Sequence, residues 1–435
     1  MLEARCVRIL LLITAVAPVL AGCDAEDRTR HAATAEDGAS AQQAEPSRAT
    51  DLTRNTASNP PVRPLVYSGR TLDEWRRMMK TLEANTQQSL KAVSGLIELI
   101  QARDIPWFTR RQAAHTLARI GEPAERAIPV LIDLLDERPD DVDTTFAWST
   151  KALAQFGPLA RAAARPMIDI LSDSSQPILR RQLAVEVLAG IGIADPAVIP
   201  ALVDALGNDS SPGNQTSTRE VAQLRALIAD AIAIIGTPAS VAVPGLIRST
   251  RDENESVRRS AVAALGAMGT AAGVAAGALA ESMATDVSPA VRDRSSEALA
   301  RVGAEALPLL RRLVGDNDAE IRWRSIAALG AMGPIAKPAT AELVDALNDE
   351  SEQVQISAAE AIWNVSRDVE IVARAAANSL TSRDRPIRIR GLNLLKAMGR
   401  DAQVAIEPLN RLKNHERPEV RSIAAKALEM IARQE

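Results

Sequence analysis

Aspartate and arginine recur six residues apart along the chain, as Asp104 and Arg110, Asp252 and Arg258, Asp286 and Arg292, and Asp316 and Arg322. A guanidinium is a planar fork that can hold two acceptor oxygens at once. Such a series can pair its charges into a ladder that braces a repeated structure, or present a strip of cations to an anionic ligand. Acids stand close in sequence to each of these arginines and the formal net charge is −4, which favours the ladder. Exposed pairs of that kind contribute about 0–1 kcal/mol each. The same net charge argues against a nucleic acid held by bulk electrostatics. Other chemistry is thinly supplied. His31, His115 and His415 are the three histidines, too scattered for a metal cluster or a serine-histidine-aspartate nucleophile. No Gly-rich phosphate loop occurs. The sequence calls for no catalytic residue, no metal and no cofactor.

Cysteine supplies one covalent site. Arg5 and Arg8 precede an apolar run from Ile9 to Leu20, followed by Leu20-Ala21-Gly22-Cys23. The run is short of the roughly 20 residues that a spanning helix needs. Charge, apolar stretch and small residues together make an export signal. The closing tetrapeptide resembles the lipobox of bacterial lipoproteins. That resemblance implies cleavage before Cys23, a diacylglyceryl group on its sulfur and acylation of the new amino terminus. Cys6 would leave with the signal, so Cys23 would be the only cysteine and no internal disulfide could form. More than one acyl chain gives stable anchoring where a single chain does not. The expected address is the cell envelope, lipid-anchored and facing the periplasm. The likeness of Asp24 to enterobacterial sorting signals points to the inner membrane. Residues 24 to 64 carry almost no large apolar side chains and cannot bury enough surface to offset their ordering entropy. They read as a flexible tether.

The elements that must position the charges come from a repeat. The run AALGAMG occurs at 263–269 and again at 327–333. With its last Gly as phase marker, comparable glycines stand at 121, 157, 192, 236, 269, 303, 333 and 399, with Ser366 in the one gap. The successive steps are 36, 35, 44, 33, 34, 30, 33 and 33. A period in the thirties signals stacked repeats. Eight residues before the marker the side chain is small in all but one window, as at Ala113, Ala261 and Ser325. Four before, it is always Leu or Ile, as at Leu117, Leu265 and Ile362. One before, it is apolar, as at Ile120, Met268 and Val302. These spacings lie on one stripe of an α-helix. The Gly would end the helix in left-handed dihedrals. Asn254, Ser288, Asp318, Ser351 and Asp384 sit where an N-cap belongs. A second apolar pattern follows each Gly, such as Ile128/Leu131/Leu134/Leu135, and six of these second helices carry Pro near the start.

Each unit is therefore two antiparallel helices, and one pair alone would expose its apolar face, so units must stack. Segments such as Val257-Arg258-Arg259-Ser260-Ala261-Val262-Ala263-Ala264-Leu265-Gly266-Ala267-Met268-Gly269 resemble HEAT repeats of the short type named after phycobilisome lyases. The resemblance implies an all-α, right-handed α-solenoid of about ten HEAT-like helix pairs over 105–435, with the second helices lining its concave face. Before it, Thr71 and Glu74 form a capping box, and Leu72, Trp75 and Met79 share a face. Residues 65–104 read as capping helices, 23–64 as the tether and 1–22 as the signal. The polar insertion at 208–219 reads as a surface loop.

The HEAT family spans scaffolds, transport factors and a few enzymes. One of those enzymes, deoxyhypusine hydroxylase, binds iron through several His-Glu pairs, and here only His415-Glu416 matches. Bilin lyase activity would need a cytoplasmic acceptor, against the export signal. Trp107, Trp148, Trp323 and Trp363 could anchor a partner, but the Ala-rich interior favours core filling. The function expected is a membrane-anchored scaffold that binds a protein or peptide partner in the concave groove without catalysis. The alternatives are a lyase-like or cofactor-carrying subunit and a structural envelope protein.

Overall fold

The computed structural model describes residues 66–83, 86–136, 144–208 and 218–433. The signal, Cys23, Asp24, His31, the tether and most of the insertion lie outside the described residues. The chain divides into two units, one through Asp195 and one from Pro196.

The first unit opens with a small hairpin, β1 (Val66–Tyr67) and β2 (Arg70–Thr71), turned through Ser68 and Gly69, both at positive φ. Then come α1 (Leu72–Thr81), α2 (Gln87–Gln101), α3 (Trp107–Ile120), α4 (Ile128–Asp133), α5 (Thr144–Phe156), α6 (Ala164–Ser172) and α7 (Ile178–Ile191). The second unit holds α8 (Val198–Asn208), α9 (Thr218–Ile235), α10 (Val243–Ser249), α11 (Glu255–Met268), α12 (Ala276–Thr285), α13 (Pro289–Val302) and α14 (Leu307–Leu313). It continues through α15 (Ala319–Met332), α16 (Thr340–Asp345), α17 (Glu352–Val365), α18 (Val369–Ser379), α19 (Arg385–Met398), α20 (Ile406–Leu412) and α21 (Pro418–Ala432). From α3 on, odd-numbered helices are the first members of the pairs and even-numbered ones the second. The fold is all-α, an α-solenoid of helix pairs.

The lead-in is tied down by Trp75. Its ring is fully buried and its Nε1 donates to the Tyr67 carbonyl at 2.8 Å. Thr71 and Glu74 form the reciprocal capping box at the start of α1. A Cβ on Gly95 of α2 would overlap the Trp75 ring, so only Gly lets α2 pass behind it.

The marker glycines end the odd helices at φ between +55° and +81°. Their ψ values are negative, −136° at Gly121 and −129° at Gly399. This is the mirror image of the β region, which is closed to residues with a Cβ, and not the left-handed helical region expected from the sequence. At Gly121 an added Cβ would meet no other atom, so backbone strain is the whole effect of a substitution there. Gly121→Ala is expected to destabilise the first unit by about 1–3 kcal/mol, measured by chemical denaturation. In the window that lacks Gly, Ser366 stays at φ −119° and Arg367 takes the positive φ.

After the marker most chains do not enter the second helix directly. A short 3₁₀ segment intervenes, as in Thr237–Ala242, Gly269–Ala275, Gly333–Ala339 and Gly399–Ala405. Three residues per turn puts positions three apart on one face. Ala239 and Ala242, Ala272 and Ala275, Ala336 and Ala339, and Ala402 and Ala405 all sit there, fully buried.

Within each unit successive odd helices run against one another along much of their length, whereas successive even helices meet at few points. Small residues permit the close approach. A Cβ on Gly266 would lie 3.1 Å from the Ala298 Cβ, and one on Gly330 would lie 3.0 Å from the Ala361 Cα. These two glycines are the fourth residue of each AALGAMG run, which explains why the run recurs. The crowded side of each unit is thus built from first helices.

Candidate functional site

The arginines of the odd helices reach in two directions. Arg258 donates from Nη1 to the carbonyls of Asp252 and Glu253, at 3.0 Å each, closing its own turn. Its Nε and Nη2 reach the two carboxylate oxygens of Asp286 in the next layer at 2.7 and 3.0 Å. Arg322 repeats this with the carbonyls of Asp316 and Asn317 and the carboxylate of Asp349, at 2.7 and 2.8 Å. Arg225 reaches Asp252 at 3.0 Å. So an Asp six residues before an Arg gives that Arg its backbone oxygen, and gives its carboxylate to the Arg one layer earlier. The reason is geometric: six residues cover the turn and the first helical turn, which leaves the aspartate carbonyl facing its own helix.

The series is not uniform. Arg292 bonds the Asp286 carbonyl at 2.8 Å, but its other arm pairs with Glu320 at 3.0 Å instead of Asp316. Asp316 caps its turn by accepting from the Asp318 N–H. Arg110 donates to the Ile100 carbonyl at 2.9 Å and stacks over Trp148. Asp104 accepts from the Tyr67 hydroxyl at 2.9 Å. Burial and that bond to a carboxylate push the Tyr67 pKa up to about 12. Gln355, in the place of an Arg, donates to the Asp349 carbonyl. Burial pushes the Asp349 carboxyl upward, but the Arg322 bonds and the Ser351 N–H outweigh it and hold the group below its usual range.

The odd helices carry two acids that sequence reading missed, Glu186 buried and Asp230 half-buried. Glu186 and Asp230 each stand six residues before their marker Gly. Glu186 is 7 % exposed and its Oε1 has no hydrogen-bond partner. Burial raises its pKa to about 7, with Lys151 drawing it down only in part. Burial also raises Asp230, eased by a Ser260 hydrogen bond and by Arg259 and Arg294.

A concavity of about 670 Å³ lies on the odd-helix side of the first unit. Met79 and Lys80 come from the end of α1. Phe108, Arg111, Gln112, His115, Thr116 and Arg119 come from α3, and Gln155 from α5. The α3 residues fall three or four apart, so one helix supplies most of the lining. His115 Nδ1 stands 2.8 Å from Gln155 Oε1. An amide oxygen only accepts, so Nδ1 carries the proton in that pairing. Arg119 donates to the Met79 carbonyl at 2.8 Å. Trp107 and Phe108 stand at the rim, edge to face with centroids 6.1 Å apart. They are 45 % and 46 % exposed. Arg111 lies over the Trp107 ring at 5.0 Å and Arg76 over Phe108 at 5.2 Å.

Of the four tryptophans expected in the core, Trp148 and Trp363 are buried and Trp323 is partly exposed. Trp107 is the exception. It sits at the second position after Ile105, at the very start of α3, before the helix has turned its side chains onto a neighbour. No group of three or more His, Cys, Asp or Glu side chains converges on a possible metal position among the described residues. The local clue to the cleft was the Trp107-Phe108 pair beside Arg110-Arg111.

Stacked antiparallel helix pairs, closed by glycine and stitched by an Arg–Asp ladder, define an α-solenoid of the HEAT type. A family model for HEAT repeats matches residues 76–154, 214–300 and 276–363. The chain belongs to the HEAT-repeat family. Among solved structures it is similar to Kap121p, at 13 % identity and TM-score 0.45 over 83 % of this chain and 43 % of that one. It is also similar to importin beta, at 12 % identity and TM-score 0.45 over 83 % and 57 %. A third is Kap121p bound to RanGTP, at 13 % and 0.44 over 83 % and 47 %. The chain spans about half the length of these proteins. No curated protein matches its sequence.

Proposed function

We propose that this chain is a non-catalytic scaffold, held at a membrane of the cell envelope through a lipidated Cys23, which grips a protein or peptide partner with the face of its odd helices. The cleft of the first unit carries the reading. Trp and Arg are the side chains that most often dominate the energy of protein interfaces, and here they stand exposed around a concavity. The repeated structure itself consumes its polar groups. Arg258 and Arg322 are bound to carbonyls of their own turn and to carboxylates of the next layer, which leaves them no free valence for chemistry.

The scaffold reading is tested by photo-crosslinking from Phe108 in the native host, followed by mass spectrometry. A specific protein partner is the expected outcome, and a uniform background equal to that from an even-helix position would remove the reading. The anchor is tested separately with an alkyne fatty acid fed to growing cells. The wild-type chain should take up label and Cys23→Ser should not. Label persisting on the serine variant would place the lipid elsewhere.

A further inference from the structure

We infer that the cleft between α1, α3 and α5 receives an acidic segment of the partner, carboxylates flanking a large apolar side chain. The inference rests on the docking reading above and names the chemistry of its occupant.

The first observation is a cluster of cations with no acid among them. On other odd helices Arg258, Arg292, Arg322, Arg324 and Arg390 each meet a carboxylate across a layer, while Arg388 and Arg421 bond only carbonyls. Lys80, Arg111 and Arg119 line the cleft without one, and no Asp or Glu stands in its lining. Of the two acids on α1, Asp73 holds Arg76 at 3.2 Å and Glu74 closes the capping box with Thr71. Three cations and a histidine thus converge on one concavity in a chain whose net charge is −4. Like charges gathered in a cleft are unfavourable unless a counter-charge arrives, and the arrival of that counter-charge is what such a field steers.

The second observation is the aromatic rim. Cations stacked on Trp107 and Phe108 hold the rings in place while leaving nearly half of each in water. A ring held rigid loses little entropy when something packs on it, which makes it a low-cost anchor. Lys80 and Arg111 are themselves exposed at the surface of the cleft. The hollow is large enough for a few side chains, and a hollow fits a peptide better than the flat surface of a bilayer.

The test uses the full chain purified in detergent and a fluorescein-labelled peptide of glutamates flanking a Phe-Leu pair. The comparison peptide has glutamine in place of every glutamate. The glutamate peptide should bind and weaken as salt rises. Lys80→Glu with Arg111→Glu should weaken it by about tenfold or more. Phe108→Ala should weaken both peptides and leave the salt dependence unchanged. All three positions are exposed, and circular dichroism of the variants checks that they fold. Equal binding of the glutamine peptide, or charge reversal without effect, would overturn the inference. So would preferential binding to phosphatidylglycerol vesicles through the same residues. A crosslinker at Ala331, the position on α15 equivalent to Arg119, separates this failure from a broader one. A partner captured from Ala331 while the cleft ignores the acidic peptide keeps the docking face and sinks its acidic occupant. No capture from either place sinks both.

Discussion

Replacing Glu186 with Gln is expected to stabilise the first unit at alkaline pH and to change little in acid. Glu186 is buried on α7 with one oxygen unpaired, and burial raises its pKa to about 7 from an ordinary 4.5. A carboxyl raised on folding binds its proton more tightly in the native chain than in the unfolded one. Stability is therefore highest below the ordinary pKa, falls as pH rises toward the folded value, and levels off above it. The gap corresponds to about 3 kcal/mol between the two ends. Glutamine has nearly the same shape and cannot ionise, so its variant should show a flat profile over that window. Thermal melts of both proteins from about pH 4.5 to about pH 8 decide it. Parallel curves would mean that Glu186 is solvated in the native state.

Arg322→Ala is the second large effect and has the opposite sign. Arg322 and Asp349 are both nearly buried, and two of the arginine's nitrogens hold that one carboxylate. Truncation would leave Asp349 with the Ser351 N–H and strip the cap from the carbonyls of Asp316 and Asn317. A buried charge stripped of its partner is costly, and about 2–3 kcal/mol is expected here. The loss should appear as faster amide exchange in α15 and α17, because each repeat depends on its neighbours. Arg292→Ala is the control. Its carboxylate partner, Glu320, is more than half exposed, and the change should cost under about 1 kcal/mol. Equal losses from the two would mean that backbone capping, common to both, supplies the stabilisation. Asp349 is held below its usual range, so the contribution of the pair is present above the ordinary aspartate pKa and fades as pH falls through the folded value. Acid weakens the second unit at this rung, while alkali weakens the first at Glu186.

The stripe of small, Leu or Ile, and apolar residues before each Gly was legible because helical spacing repeats it ten times. The capping box at Thr71 was legible because both of its members are local. Two of the five expected N-caps, Asn254 and Asp318, accept an N–H from their own helix, while Ser288, Ser351 and Asp384 make no such bond. Of these, Ser288 has taken another partner: its hydroxyl donates to Glu255 in the previous layer. The 3₁₀ entry to the second helices was signalled by Ala three and six residues after Gly, a period of three easily lost beside one of 3.6. Which acid each arginine takes was not legible, since Asp286 and Glu320 lie at similar removes and only the layer spacing selects between them. Nor was the burial of Glu186, which depends on side chains from neighbouring helices crowding a position that looks outward on its own. The cleft depends on α1 and α5 converging on α3, and nothing within any one of them announces it.

The reach of each arginine into the following layer bears on how such a gene can change in length. Between Asp252 and Asp349 the pairs form a chain in which every unit supplies a cation forward and an acid backward. A crossover that removes or adds one whole period within that stretch rejoins a cation to an equivalent acid, whereas one that breaks phase strands both. Lineages carrying this sequence should therefore differ there by whole hairpins, with odd-sized insertions confined to places such as 208–219, outside the linked stretch.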